Sequence, residues 1–246
     1  MSPTLLVLAA VLGAALASMP VFAFVHRSRR DADAERKGSS FLLGTGDFLV
    51  HWFMWAIGPV ERSLLRLGAS PDHMNEGGLL FGLASGILIA LGRLEAGGAA
   101  IALAGVCDIL DGRLARAQKV ASPYGKFIDS TLDRFVETFA FLGFAVYFAG
   151  RPWGPLVVAA GLGGSLLVSY AQARGETVGV SGSGGLMQRA ERLVLQILGC
   201  LFDPVLSRWL DQPEGTVLFW VLVVTAAGAL GTAVHRTAWI ARRLRG

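Results

Sequence analysis

Charge is scarce in this chain. Asp, Glu, Lys and Arg make up 16% of its 246 residues, whereas 53% are hydrophobic, an apolar excess that a soluble globular surface does not carry. Cysteine is scarcer still: Cys107 and Cys200 lie in or beside apolar runs and supply no disulfide framework. The four histidines, His26, His51, His73 and His235, have no metal-ligand spacing. No G-x-S-x-G elbow, P-loop or fixed-period repeat occurs. Serine-hydrolase, P-loop and solenoid readings therefore fall away. The formal net charge is +4, but the basic residues flank apolar runs instead of forming one basic domain, which points to a membrane and not to nucleic acid.

What is there is a series of long apolar runs, read as an all-α, polytopic membrane helix bundle. The first, Leu5 to Val25, precedes His26-Arg27-Ser28-Arg29-Arg30 and Arg36-Lys37. Ala15-Leu16-Ala17 looks like a signal-peptidase site, yet no basic region precedes the run and positive charge follows it. It is read as an uncleaved span with a cytosolic basic flank. Residues 1–40 thus form a span and charged linker, and residues 41–246 the main membrane domain. Phe41 to Leu67 is interrupted by Asp47, His51, Pro59, Glu61, Arg62 and Arg66 and carries Trp52 and Trp55, as expected of a juxtamembrane helix on the interface. Ser70-Pro71-Asp72 reads as the cap of the next helix. Spans are then expected around Leu79–Leu91, Gly97–Arg116, Phe127–Phe148, Gly154–Arg174, Leu193–Val205 and Val217–Ile240.

The densest chemistry lies between Asp108 and Asp133: D-I-L-D-G-R-L-A-R, then A-Q-K-V-A-S-P-Y, then G-K-F-I-D-S-T-L-D. Residues three or four apart share a helix face, so Asp108/Asp111 and Asp129/Asp133 each point one way. Pro123 and Gly125 suggest a turn between the two helices. Folding back would aim four carboxylates at one point, where they repel and lose hydration. Hard divalent cations with oxygen ligands are the remedy, and two of them balance four negative charges. The competing account is a set of interfacial aspartates capping helices or pairing with Arg113, Arg116 and Arg134.

The spacing D-x2-D-G-x2-A-R-x8-G-x3-D-x3-D resembles the signature of the CDP-alcohol phosphotransferases, met at Asp108, Asp111, Gly112, Ala115, Arg116, Gly125, Asp129 and Asp133. The resemblance in architecture runs over about residues 41 to 240. It implies a six-span core, to which the N-terminal span is an addition, and a homodimer in the cytoplasmic (inner) membrane. It further implies two Mg²⁺ or Mn²⁺ ions on Asp108, Asp111, Asp129 and Asp133, with Asp133 also the general base. Gly112, Ala115, Arg116 and Gly125 are then expected around the nucleotide. Asp72 and Asn75 resemble a cytidine-side Pro-Asp-x-x-Thr segment in which Asn75 replaces the threonine; helix capping accounts for Asp72 equally well.

The implied reaction transfers a phosphatidyl group from CDP-diacylglycerol to a polar alcohol, with release of CMP. Ser169 to Arg174 and Gln188 to Leu193 resemble the phosphatidylinositol phosphate synthase branch. Arg174, Arg189 and Arg192 are its implied acceptor contacts, while Gln172 stands where that branch often has lysine. Positive-inside flanking is the rival account of these arginines. Phosphatidylglycerophosphate synthesis, transfer to an unphosphorylated alcohol, and an ion-coupled transporter are the alternatives. The loop Ser181-Gly182-Ser183-Gly184-Gly185 is read as a connector.

Alternate spans from a cytosolic Arg27–Lys37 put the aspartates, Gln172–Arg192 and the basic tail on the cytosolic side together. Cysteines introduced at Ser122 and Arg245 are therefore expected to label from the cytosol. Labelling of either by an impermeant reagent outside intact cells refutes the topology.

Overall fold

The computed structural model describes residue 13 and residues 17–24, 47–180 and 185–245. The first expected span and the Ser181–Gly184 part of the connector thus lie largely outside the described residues. The chain separates into two compact units, Met1–Ala69 and Ser70–Gly246. All regular structure among the described residues is helical.

In the first unit, residues 17–24 are helical and are followed by α1, Asp47–Arg66. Phe48, Trp52 and Trp55 recur at helical spacing on one face of α1. Phe22 packs on Phe48 and on Trp55, each at 5.6 Å between ring centroids, and Trp52 Nε1 donates to Ser18 Oγ at 2.8 Å. The tryptophans expected at an interface therefore serve first to hold α1 to the preceding segment. Pro59 lies inside α1.

The second unit contains α2 (Pro71–Ala90), α3 (Leu94–Ala117), α4 (Pro123–Tyr147), α5 (Gly154–Thr177), α6 (Arg189–Trp209) and α7 (Thr216–Arg245). Neighbour packs on neighbour in the order α2–α3–α6–α7–α5–α4 and back to α2, which closes the six into a ring. In that ring α4 and α6 stand on opposite sides. Ile101 of α3, Phe141 and Phe144 of α4, Cys200 of α6 and Leu218 and Leu222 of α7 are all buried in one cluster.

Glycine sets how close α2 comes to α4. A Cβ on Gly82 would sit 2.8 Å from Val136 Cγ2, and one on Gly143 would sit 2.8 Å from Gly86 Cα. Small residues allow such backbone approach between apolar helices, where van der Waals packing is the main attraction. Two helices, α5 and α7, are long and apolar enough to cross a membrane by length and composition.

Gly143→Val should force α2 and α4 apart and cost about 1–3 kcal/mol, seen as a lower unfolding midpoint in detergent. Gly163, where an added Cβ would meet only open space, provides the control: Gly163→Ala should keep or slightly raise the midpoint, since alanine favours a helix interior by up to about 1 kcal/mol. Equal midpoints for parent and Gly143→Val would reject the close approach.

Candidate functional site

The connection from α3 to α4 decides where the aspartates go. Lys119 takes a left-handed conformation at φ 58° and reverses the chain. Ser122 then caps α4, its Oγ accepting from Gly125 N at 3.2 Å, and Pro123 occupies the start of the helix, where its missing N–H costs nothing. The turn expected at Pro123 and Gly125 thus lies earlier, and Gly125 belongs to the first turn of α4. At the start of α2, Ser70 is the cap and pairs with His73. That leaves Asp72 as a first-turn residue and removes the capping account of it.

Asp108 on α3 and Asp129 and Asp133 on α4 come together, with one carboxylate oxygen from each lying within 4.8 Å of the others. Two unit charges about 4 Å apart repel by roughly 4 kcal/mol at an effective dielectric of about 20. Arg189, at the start of α6, answers part of this charge. Its Nη1 lies 3.0 Å from Asp108 Oδ2 and its Nη2 2.5 Å from Asp133 Oδ1. Asp111 is buried, accepts a short hydrogen bond from Gly112 N, and lines the same small cavity as the trio, together with Asn75, Gly78 and Arg189.

A larger cavity of about 360 Å³ adjoins it, within the range of small-molecule and cofactor sites. Asp72, Asn75, Gly112, Ala115, Arg116 and Gly125 all line it. Asn75, Asp111 and Asp129 line both cavities, so carboxylates and the larger space share walls. A Cβ on Gly112 would sit 3.1 Å from Arg116 Nη1, so this glycine also leaves room for the guanidinium. Tyr124 and Lys126 line the larger cavity as well. Sequence reasoning passed over them, although they flank Gly125 in the signature.

The three expected acceptor arginines part company. Arg189 joins the aspartates. Arg192 lies in a buried pair with Glu137, with Nε and Nη2 each 3.0 Å from Oε1. Arg174 is exposed near the end of α5. Gln172 accepts from Arg236 Nη1 at 2.9 Å and donates to Glu176 at 3.2 Å. Glu137 was legible only as the next step of the Asp129/Asp133 face, four residues further on.

Converging carboxylates at this separation suit a hard divalent cation, with Asp108, Asp129 and Asp133 as direct donors and Asp111 beside them. Arg116 lies on the wall of the larger cavity, where a planar guanidinium is able to bind an anion.

Comparison with known proteins bears on the same residues. A family model described as CDP-alcohol phosphatidyltransferase matches residues 71–228. The phosphatidylinositol phosphate synthase of Mycobacteroides abscessus is 34% identical over 186 residues, covering 72% of this chain and 81% of that protein. The archaetidylinositol phosphate synthase of Methanothermobacter thermautotrophicus is 31% identical over 180 residues, covering 73% and 87%. The phosphatidylinositol phosphate synthase of Mycobacterium tuberculosis, in crystals with CDP-DAG bound, superposes with a TM-score of 0.64 at 29% identity, over 74% of this chain and 92% of that one. The same enzyme with manganese and citrate gives 0.65 at 28% identity, over 74% and 87%.

The trio predicts an order of importance for metal binding. Asp129→Asn should weaken Mn²⁺ binding in detergent by roughly ten- to a hundredfold or more, whereas Asp72→Asn should leave it unchanged. Titration calorimetry that finds parental Mn²⁺ affinity in Asp129→Asn would remove the ion from this cluster.

Proposed function

Because the chain belongs to the CDP-alcohol phosphatidyltransferase family, we propose that it transfers the phosphatidyl group of CDP-diacylglycerol to a phosphorylated polar alcohol such as inositol phosphate, releasing CMP. The observation that carries this reading is the shared wall between the aspartate cluster and the larger cavity. Asp111 and Asp129 border both, so a diphosphate bound in that cavity would lie beside the carboxylates. Curated relatives named as phosphatidylinositol phosphate synthases and a structural relative with CDP-DAG bound support the choice of substrates.

Asp108, Asp111, Asp129 and Asp133 would hold the divalent metal, Mg²⁺ or Mn²⁺ in two copies. Bound there, it neutralises charge developing on the phosphoryl oxygens. The chain's own residues do the rest. Arg116 orients the pyrophosphate, and Asn75 and Asp72 border the nucleotide end. Asp133 accepts the proton of the acceptor hydroxyl on a carboxylate oxygen as the new P–O bond forms and the bond to CMP breaks. Arg189, beside Asp133, is suited to a phosphate on the acceptor.

The family is membrane-bound, and six spans for α2 to α7 belong to this proposal. Helices of 20 to 30 residues are long enough for a hydrocarbon core of about 30 Å. Ile87, Leu103, Leu142, Leu167, Leu198 and Val224, one from each helix, are exposed; so much outward apolar surface fits lipid and not water. The charges of the signature keep α3 and α4 from reading as uniformly apolar. An additional N-terminal span, an interfacial α1, a cytosolic active site in the inner membrane and pairing of two copies complete the proposal, on the charge distribution and the family.

An assay of labelled CMP release from CDP-diacylglycerol across inositol phosphate, glycerol phosphate and free alcohols tests the reading, with EDTA expected to abolish turnover. Release only to glycerol phosphate or a free alcohol would reassign the acceptor, and no release to any acceptor would overturn the function. Asp133→Asn should bind CDP donor within about tenfold of the parent while turnover falls roughly a hundred- to ten-thousandfold. Donor binding must be measured directly, because KM equals a dissociation constant only when chemistry is slow. Near-parental turnover would place the base elsewhere.

A further inference from the structure

Glu137 and Arg192 lie inside the helix ring at 8% and 1% side-chain exposure, one helical turn beyond the catalytic cluster. Asp133 and Glu137 are four residues apart on α4; Arg189 and Arg192 are three apart on α6. The two pairs, Asp133–Arg189 and Glu137–Arg192, are therefore successive rungs joining helices on opposite sides of the ring. A narrow gap beside the rungs is lined by Glu137 and Arg189 with Val136, Ala140, Leu193 and Gln196. Charged side chains bridge α4 to α6 where neighbouring helices elsewhere pack directly.

A buried ion pair is a poor way to gain stability alone, since apolar residues of similar volume commonly do as well. This pair has a positional consequence instead. Arg192 Nη1 donates to Met187 O at 3.1 Å, and Met187 N donates to Thr232 Oγ1 of α7 at 3.0 Å. Met187 also fits against Gly228, where a Cβ would come within 2.7 Å of its Cε. The residue two places before Arg189 is thus tied to α7 through its N–H and, through Arg192 and Glu137, to α4 by its carbonyl. Arg134 Nη1 lies 3.7 Å from the other Glu137 oxygen.

We propose that Glu137 is a positioning residue for acceptor binding: by holding Arg192 it fixes the start of α6 and aims Arg189 at Asp108 and Asp133. The proposal rests on the functional reading above, in which Arg189 meets the acceptor. Glu137 lines neither the metal ligands' cavity nor the larger one, so its influence on the site comes through Arg189, which meets the acceptor in this reading. A misplacement of about 1 Å is enough to cost on the order of a hundredfold in rate.

The test uses the full-length protein in detergent with CDP-diacylglycerol, inositol phosphate and Mn²⁺. Glu137→Gln should raise acceptor KM at least about tenfold, within that range, while directly measured donor and Mn²⁺ affinities change several-fold less. Glu137→Asp, which keeps the charge, should recover part of the loss. A purely structural role would lower stability and leave acceptor KM unmoved, or shift donor and acceptor constants together, and either result overturns the proposal. Should Glu137→Gln fail to fold, Thr232→Val releases the same Met187 anchor from α7; a folded Thr232→Val with parental acceptor KM overturns it equally. Parental protein that releases no CMP to inositol phosphate would sink the acceptor reading itself, and the positioning role with it, whereas an active parent with an unshifted Glu137→Gln sinks only the latter.

Discussion

Neutralising negative charge inside an apolar ring is the constraint on which the rest of this structure depends. Asp108, Asp129 and Asp133 converge, Asp111 lines the same cavity, and Glu137 adds a further carboxylate one turn below Asp133. None can remain ionised there without cations or oriented dipoles nearby. The chain answers with Arg189 and Arg192, both from the first turn of α6. That answer fixes the end of the ring at which α6 must begin. It also requires α6 to face α4 across the interior, which the order of helices around the ring achieves.

The convergence depends in turn on α2, which contributes little charge. Its small residues let it lie close to both chemistry-bearing helices. A Cβ on Gly78 would reach 3.4 Å from Cys107 Cβ on α3, and Gly82 and Gly86 face Val136 and Phe139 on α4. With α2 as a thin spacer, the end of α3 and the beginning of α4 come near enough for Asp108 to join Asp129 and Asp133. Larger side chains along α2 would separate the pairs, leaving two weak carboxylate sites in place of one strong one. Packing and chemistry are thus the same problem, solved by glycine at a helix crossing.

Much of the site was legible because its determinants are local. The pairing of aspartates follows from residues three and four apart on a helix, and the six helices of the second unit fall where apolar runs do. Ser70 and Pro71 likewise announce the start of α2. Less legible were features set by distant contacts. Nothing near Glu137 in the sequence identifies Arg192, 55 positions away, as its partner, and flanking positive charge looks the same whether it faces lipid headgroups or a buried acid. Gly125 illustrates a local misreading. Glycine suggests a turn, but Ser122 captures its N–H and draws it into a helix, leaving Lys119 to adopt the left-handed conformation. The contacts of Trp52 with Ser18 and of Trp55 with Phe22 were set by a distant segment and not legible from composition.

A buried aspartate far along α6 separates structural from chemical use of the same side chain. Asp203 is fully buried, and 14 residues of helix place it roughly 21 Å from Arg189. It accepts from Gly215 N at 2.6 Å, Leu218 N at 2.9 Å and Ser207 Oγ at 3.0 Å. The two backbone donors lie at the start of α7, where the helix dipole also favours negative charge. Asp203 is thereby satisfied by fixed backbone and hydroxyl groups, and joins α6 to α7 without a cation. Asp108 and Asp133 instead share the guanidinium of Arg189 and line the small cavity of the cluster. A carboxylate held by backbone N–H groups has little capacity left for a ligand, whereas one held by a long side chain can exchange that partner for a metal ion or a substrate proton. The difference in donors, and not burial alone, sets Asp203 apart from the aspartates of α3 and α4 proposed for the chemistry.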